Sequence, residues 1–257
     1  MSSSFTHTLR NMRGWSMPLR IVAVNVALFI ILRFTAAVAV VSGHPDFIYA
    51  LLTWLELPAS LPALLVRPWT IFTYMWTQYD VLHLMLNMLW FYWFATMFAT
   101  CRPRGAALLS LYIAGGLAGA VLYIAVNLIS PTTGGALIGS SAAVMAIVTA
   151  VALLMPRVRM QLLFLGGIEV RWIAVATLII MLAGTDAGNL GSLLAHLGGV
   201  VAGGIWAMAS HRRPIHKKRS AAGTESATAS LDTILDKIRK SGYSSLTPDE
   251  RDRLFGR

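Results

Sequence analysis

The sequence predicts an all-α membrane protein that crosses the bilayer six times. Of its 257 residues, 56% are hydrophobic and only 12% are charged, whereas charged residues make up about a quarter of a typical soluble domain. Several apolar runs approach the roughly 20 residues that a helix needs to cross about 30 Å of hydrocarbon. Because these runs are continuous and do not alternate, they fit a transmembrane β-barrel poorly. The predicted spans are residues 20–42, 78–100, 105–128, 140–156, 170–185 and 191–210.

Charged residues interrupt two of these spans. Glu169 and Arg171 restrict the start of the fifth span, and the preceding residues 160–168 are expected to lie in the interface or to extend it. Arg33 lies within the first span, where it is expected to reach the interface or to face the bundle. The predicted organisation is an N-terminal segment 1–19, a membrane domain 20–210, a basic and polar linker 211–230 and a small helical tail 231–257.

The basic residues give the expected orientation. The net charge is +10, and Lys and Arg cluster before the first span, after the second, fourth and sixth spans, and in the tail. Residues 129–139 and 186–190 contain neither Lys nor Arg. The positive-inside rule then places both termini in the cytoplasm. The excess charge fits topology and anionic lipid headgroups, so we expect the lipid bilayer and no nucleic acid as a partner.

The two connectors on the expected outer side are unusual. Residues 43–77 are largely apolar, with helical spacing from Phe47 to Leu55 and with Trp54 and Trp69 as interfacial anchors. This pattern predicts that residues 43–77 form short helices at the membrane surface. Glycines and serines at 134–141 predict an irregular start for the fourth span, which can begin below the membrane surface if it lines a water-filled cavity.

The C-terminal tail predicts two short cytoplasmic helices, which we expect to pack on each other, with docking on a partner or on the membrane as alternatives. Residues 231–240 carry Leu231 and Ile234 at the head of an i, i+3, i+4, i+7 apolar pattern, which is typical of an amphipathic helix. A second helix is predicted to start at Thr247, with Thr247 as N-cap and Glu250 at the third position. The partner of this tail is not evident from the sequence.

Four polar residues in the spans invite a functional interpretation, because polar groups are costly in a membrane. His83 and His196 each lie about five residues, or roughly 8 Å, inside spans that run inward from the outer side. Ser141 reaches the same depth if the fourth span begins below the surface. Asn87 lies one turn after His83. An active site requires its residues to lie at one depth in the membrane, whereas polar residues with unrelated packing roles need not share a depth.

Spacing suggests how these groups could cooperate. His83 and Asn87 are at i and i+4 and therefore lie on one helix face. Ser141 stands at a helix N-terminus, where backbone N–H groups are free. Together these donors make a plausible oxyanion hole, and His196 is the base that would take the serine proton.

Other interpretations of the same residues exist. A lone intramembrane serine most often serves helix packing, and His83 with His196 could bind a metal. No Asp, Glu or Cys lies nearby in the spans to complete such a site, so neither a metal nor a cofactor is expected. Asp80 and Asp186 lie at span mouths, where capping or solvated charge is their expected role. A Ser–His dyad is therefore favoured over a triad.

Small residues predict how the serine and the histidine would meet. Gly199 and Gly203, which follow His196, form a small-xxx-small ridge that permits close helix approach. Ala142 and Ala146 in the fourth span offer a complementary surface.

The three motifs together resemble the rhomboid family of intramembrane serine proteases. They are H-x-x-x-N with His83 and Asn87, G-x-S with Gly139 and Ser141, and A-H-x-x-G-x-x-x-G around His196. The resemblance covers residues 20–210, including the six-span layout and the large first loop. Four positions depart from the common pattern: Gln78 in place of an additional histidine, Thr70 after Trp69 in place of arginine, Ala142 in place of glycine, and Met145 in place of an aromatic residue.

The resemblance implies roles for these residues. Ser141 would be the nucleophile and His196 the general base, while His83, Asn87 and the Ser141 N–H would form the oxyanion hole. Ser140 is expected to be a spacer without a catalytic role. The fifth span and the loop before the sixth would form a lateral gate and cap.

The resemblance also implies substrates and a location. The chain would be a multi-pass protein of a bacterial cytoplasmic (inner) membrane, cleaving single-span membrane proteins near their outer boundary. One alternative is a catalytically impaired rhomboid-like protein that binds or escorts membrane helices. A small transporter is a further alternative, but it would favour polar sites at mid-membrane.

Overall fold

The computed structural model describes residues 14–129, 135–162, 166–183, 190–211 and 233–255. The chain divides into two compact units, Met1–Arg212 and Arg213–Arg257. In chain order the first unit contains α1 (Met17–Val41), α2 (Phe47–Thr53), α3 (Leu61–Val66), α4 (Thr70–Thr73), α5 (Val81–Cys101), α6 (Gly105–Ile129), α7 (Ser141–Leu154), β1 (Arg159–Leu162), β2 (Gly166–Glu169), α8 (Val170–Ala183) and α9 (Leu190–His211).

The predicted class, an all-α membrane protein, is confirmed. Among the described residues, α1, α5, α6 and α9 are long and apolar enough to cross a membrane. The helices α7 and α8 are apolar but shorter. They coincide with the fourth and fifth predicted spans, so the count of six remains a prediction.

The buried position of α7 accounts for its short, apolar sequence. This helix packs against α5, α6, α8 and α9. Nearly every side chain from Ala142 to Val151 is buried, so α7 has no polar face. A helix enclosed by protein on all sides can begin and end within the thickness of the bundle.

A β-hairpin precedes α8, which the sequence did not predict. Strands β1 and β2 pair antiparallel, with Arg159 opposite Glu169 and Leu162 opposite Gly166. Residues 160–168 were expected to lie in the interface or to extend the fifth span. Pairing of the two strands satisfies their backbone N–H and C=O groups in place of a helical turn.

The first connector forms the predicted short helices. Between α2 and α4, the indole rings of Trp54 and Trp69 stack at 5.7 Å between centroids, and Trp69 Nε1 donates to the Trp54 carbonyl at 2.9 Å. Leu57 pairs with Leu137 through two backbone hydrogen bonds of 2.9 and 2.8 Å. This pairing attaches the first connector to the segment that leads into α7.

Arg33 has an exposed side chain on α1. Its guanidinium carbon lies 4.7 Å from the ring centroid of Tyr79, just before α5. Stacking on the aromatic ring partly compensates the cost of a cation on an apolar helix.

The described residues of the second unit, 233–255, form two short helices. The first, α10, covers residues 233–241. A 3₁₀ turn at Tyr243–Ser245 follows, and then the second helix, α11 (Pro248–Phe255). The Glu250 N–H donates to Thr247 Oγ1 at 3.3 Å, and the Thr247 N–H donates to Glu250 Oε2 at 2.8 Å. This capping box confirms the predicted helix start. The predicted position of Leu231 lies outside the described residues.

Candidate active site

Ser141 and His196 meet at the start of α7. Ser141 is the first residue of α7, and His196 lies in the second turn of α9. The His196 Nε2 and Ser141 Oγ atoms are 2.6 Å apart. This is a hydrogen-bond distance for a hydroxyl and an imidazole nitrogen, and it suits transfer of the serine proton to the histidine.

Close backbone contact between α9 and α7 produces this distance. A Cβ added to Gly199 would lie 2.1 Å from the Ala142 carbonyl oxygen, and one added to Gly203 would lie 2.2 Å from the Ala146 oxygen. Glycine is therefore required at both positions for the helices to approach this closely. The ridge that the sequence indicated faces the alanines that it was expected to face.

The helix α6 packs into the same junction. A Cβ on Gly119 would lie 2.6 Å from the Ala142 Cβ and 2.9 Å from the Ala195 carbonyl oxygen. Ala195 immediately precedes His196, and Ala142 immediately follows Ser141. Three helices thus fix the two reactive side chains through their neighbours in sequence.

His83 and Asn87 line a cavity at the Ser141–His196 contact. The cavity has a volume of about 520 Å³, and both side chains line it together with Ser141 and His196. They occupy the first two turns of α5, which begins at Val81 and has Asp80 as its N-cap. The Asp80 carboxylate caps the helix by accepting from the His83 backbone N–H at 2.7 Å. Asp80 therefore has the capping role expected from the sequence, while Asp186 lies outside the described residues.

Gly139 brings the segment before Ser141 against His83. Its φ is +113°, a conformation that glycine adopts readily and other residues do not. A Cβ at this position would lie 3.2 Å from His83 Nε2. The backbone here is also attached to the first connector, because the Gly139 N–H donates to the Tyr74 carbonyl at 3.0 Å.

The rest of the cavity wall is mostly apolar. It consists of Asp80, Leu82, Leu86 and Trp90 from the start of α5, Val144 and Met145 from α7, and Thr177 and Ile180 from α8. Met145, which stands where the family pattern has an aromatic residue, is buried and belongs to this wall. Trp90 Nε1 donates to Thr177 Oγ1 at 3.1 Å, which connects α5 to α8 across one side of the cavity.

Ser140 is not a mere spacer. Its side chain is fully buried, and its hydroxyl accepts a hydrogen bond of 3.1 Å from Gln78 Nε2. Gln78 also contacts Asn87 and Asn25. The expectation that Ser140 only separates Gly139 from Ser141 overlooked this partner.

Asn25 is a further buried polar residue near the site that was not predicted from the sequence. It is a polar residue in the first apolar span, so the rule that singled out His83 and Asn87 applies to it equally. Its side chain is fully buried and is linked to Asn87 through Gln78. A polar side chain within an apolar span is the sequence signal that could have identified Asn25.

The chain is an α-helical, multi-pass membrane protein whose buried helices bring a serine and a histidine to hydrogen-bond distance at one cavity. The rhomboid domain matches residues 66–213, which is more than half of the chain and contains His83, Asn87, Ser141 and His196. The chain belongs to the rhomboid family, as the resemblance predicted. A comparison with curated proteins gives no match.

Proposed function

We propose that the chain is an intramembrane serine endopeptidase that uses Ser141 and His196 as a catalytic dyad. The observation that carries the proposal is the 2.6 Å approach of His196 Nε2 to Ser141 Oγ. It occurs at the wall of a cavity that also receives two side-chain donors. Family membership supports hydrolase chemistry of this type.

The reaction would begin when a peptide carbonyl enters the cavity. His196 Nε2 accepts the hydroxyl proton of Ser141 while Oγ attacks the carbonyl carbon. The resulting imidazolium then donates this proton to the amine that leaves when the C–N bond breaks. An acyl-enzyme ester remains on Ser141, and water activated by His196 hydrolyses it.

The developing oxyanion needs donors on the side of the cavity opposite His196. The Ser141 backbone N–H is free because it belongs to the first turn of α7. Asn87 Nδ2 has two hydrogens, of which one is donated to Gln78. The second hydrogen and a His83 ring N–H would complete the oxyanion hole.

The proposed substrates are single-span membrane proteins, cleaved near the outer boundary of a bacterial cytoplasmic membrane. The charge distribution supports an orientation with both termini in the cytoplasm. An apolar wall beside Ser141 suits an unwound membrane segment better than a soluble peptide. A segment that unwinds easily is required, because a helix hides its carbonyl groups.

Reconstitution tests the proposal. The purified full chain is placed in liposomes with an unstable transmembrane substrate, and a fluorophosphonate probe is used to label the reactive serine. Cleavage and labelling are expected for the wild type and are expected to be lost in Ser141→Ala. Ser110→Ala is the matched control, because Ser110 is an exposed serine of α6 that donates only to the Ala107 carbonyl.

Cleavage that survives in Ser141→Ala would contradict the proposal. A wild-type chain that is neither labelled nor active, but that retains the substrate helix in a pull-down, would support the alternative of an impaired rhomboid-like binding protein.

A further inference from the structure

A cluster of buried polar side chains lies behind the oxyanion donors. We name it the amide cluster, and it consists of Asn25, Gln78, Tyr112 and Ser140. Each of these side chains is buried, and Gln78 is only 2% exposed. They come from α1, from the segment before α5, from α6 and from the residue before Ser141. Such a cluster in a membrane protein needs a reason, because buried polar groups are costly unless they are fully paired.

Gln78 uses all of its hydrogen-bonding groups within the protein. Its Nε2 donates to Asn25 Oδ1 at 3.2 Å and to Ser140 Oγ at 3.1 Å. Its Oε1 accepts from Asn87 Nδ2 at 3.3 Å. The opposite orientation of the amide would place two donors against each other at Asn87 and two acceptors against each other at Asn25. The side chain is therefore held in one orientation.

Asn25 anchors the cluster to the rest of the bundle. Its Nδ2 donates to the Ile21 carbonyl at 2.9 Å and to the Tyr112 hydroxyl at 3.3 Å. The Tyr112 hydroxyl in turn donates to the Met75 carbonyl at 3.2 Å. Gln78 thus stands between a fixed framework on one side and Asn87 and Ser140 on the other.

We propose that Gln78 is a positioning residue of the oxyanion hole, acting through Asn87 and Ser140. Its carbonyl binds one hydrogen of Asn87 Nδ2, so that the second hydrogen is directed to the cavity. Its amide nitrogen holds Ser140, whose neighbour Ser141 supplies the backbone donor. This inference rests on the proposed function.

The pairing of Gln78 with Ser140 is consistent with this role. The family pattern has a histidine at position 78. A neutral histidine has one ring donor and one ring acceptor, so it could accept a hydrogen bond from Asn87 and donate to only one other group. The second donor of glutamine requires a further acceptor, and the Ser140 hydroxyl provides it. The serine before Ser141 and the glutamine before α5 therefore act as a pair.

The test uses steady-state kinetics of the reconstituted full chain, with kcat normalised to the serines that the fluorophosphonate probe labels at saturation. Gln78→Met keeps the shape and removes the amide. We expect kcat to fall about tenfold with little change in KM, because an oriented donor is lost in the transition state. Gln78→His keeps an acceptor for Asn87, so we expect kcat within about threefold of the wild type.

A double-mutant cycle separates positioning from general damage to the fold. If Gln78 acts mainly through Asn87, then Gln78→Met should lower kcat by no more than about threefold, the share expected through Ser140, when it is introduced into Asn87→Ala. A merely structural loss would lower the fraction of serine that is labelled and would leave kcat per labelled site unchanged. If Gln78→Met does not fold, Ser140→Ala tests the contact with Gln78 directly: kcat per labelled site should fall about threefold, and an unchanged kcat would overturn the inference.

Wild-type kcat per labelled site in Gln78→Met, or the same proportional loss with and without Asn87, would overturn the inference. These results leave the proposed function intact as long as Ser141→Ala abolishes cleavage. If the wild type neither cleaves nor labels, the proposed function itself fails. The two failures are therefore distinguishable.

Discussion

Different interactions stabilise the interior of each of the two units, the membrane unit (Met1–Arg212) and the C-terminal unit (Arg213–Arg257). Around Ser141 the helices meet backbone to backbone, with glycines in direct contact with carbonyl groups, and buried amides pair only with other protein groups. In the C-terminal unit the main polar contacts are a capping box and exposed or half-exposed ion pairs. Water can replace a lost partner in the second unit but not inside the bundle. Substitutions should therefore cost much more near Ser141 than in the tail.

The largest effect is expected at the contact between α9 and α7. Gly199→Ala would place a methyl group 2.1 Å from the Ala142 carbonyl oxygen, so α9 must move and carry His196 away from Ser141. A displacement of about 1 Å can lower the rate about 100-fold, and we expect kcat/KM to fall at least that much. The fall in kcat/KM is measured from substrate cleavage in liposomes.

Gly204→Ala is the matched control for this substitution. It lies on the same helix, and a Cβ there meets nothing within 4 Å, so activity should remain at the wild-type level. Equal activity of the two variants would show that close packing of these helices does not set the geometry of the dyad.

A smaller effect is expected at Gly139. Alanine is strained at a φ of +113°, and its Cβ would press on His83 Nε2 from 3.2 Å. Displacing one oxyanion donor without removing it should lower kcat about tenfold, with KM largely preserved. Gly135→Ala is the control in the same segment, since a Cβ there has open space around it. A rise in KM with kcat unchanged would argue against a role for His83 in the transition state.

Much of the fold followed from the sequence because the membrane imposes simple rules. The apolar runs identified the helices α1, α5, α6 and α9 to within a few residues, since hydrocarbon requires long apolar segments. The glycine ridge indicated which helices approach each other. The β-hairpin before α8 was missed, because a short strand pair at a membrane boundary has no periodicity that differs clearly from an interfacial segment.

The site was predictable in part for a related reason. His83, Asn87, Ser141 and His196 stand out as polar residues in apolar spans, and motif spacing connects them. Gln78 and Ser140 lie at span ends, where polar residues are common and uninformative. Their hydrogen bond joins residues 62 positions apart, and no local pattern specifies such a pair. Only the packing of the helices brings them together.

Removing the hydrogen bond between Trp90 and Thr177 should raise kcat/KM moderately, whereas the glycine substitutions should lower it. It connects α5 to α8 beside the cavity, and substrates are proposed to enter the bundle from the membrane. Thr177→Val keeps the shape and removes the acceptor, so we expect kcat/KM to rise about two- to threefold, as expected for loss of one neutral hydrogen bond of about 0.5 kcal/mol. Thr96→Val is the control, because Thr96 Oγ1 donates within its own helix to the Trp93 carbonyl. A lower kcat/KM in Thr177→Val would mean that this contact shapes the site and does not restrict access.

The smallest effect is expected in the C-terminal unit. Lys237 Nζ donates to Glu250 at 2.8 and 3.0 Å, and this contact, followed by the Thr247 N–H, lowers the pKa of the Glu250 carboxyl from 4.5 to about 2. Because the pKa is lower in the folded state, the stabilisation is complete above pH 4.5 and is lost as the pH falls towards about 2. Glu250→Gln should accelerate amide hydrogen exchange in residues 248–255 about two- to fivefold near neutral pH.

Two further expected outcomes make this test specific to the capping box. The acceleration should disappear as the pH approaches 2, because the wild-type carboxylate is then protonated and resembles glutamine. Asp236→Asn removes an exposed pair with Lys240 but no helix cap, so it should change exchange less. Cleavage by the full chain should be unaffected by either substitution. A loss of activity in Glu250→Gln comparable to that in Gly139→Ala would mean that the tail takes part in catalysis, and the contrast between the two units would then no longer hold.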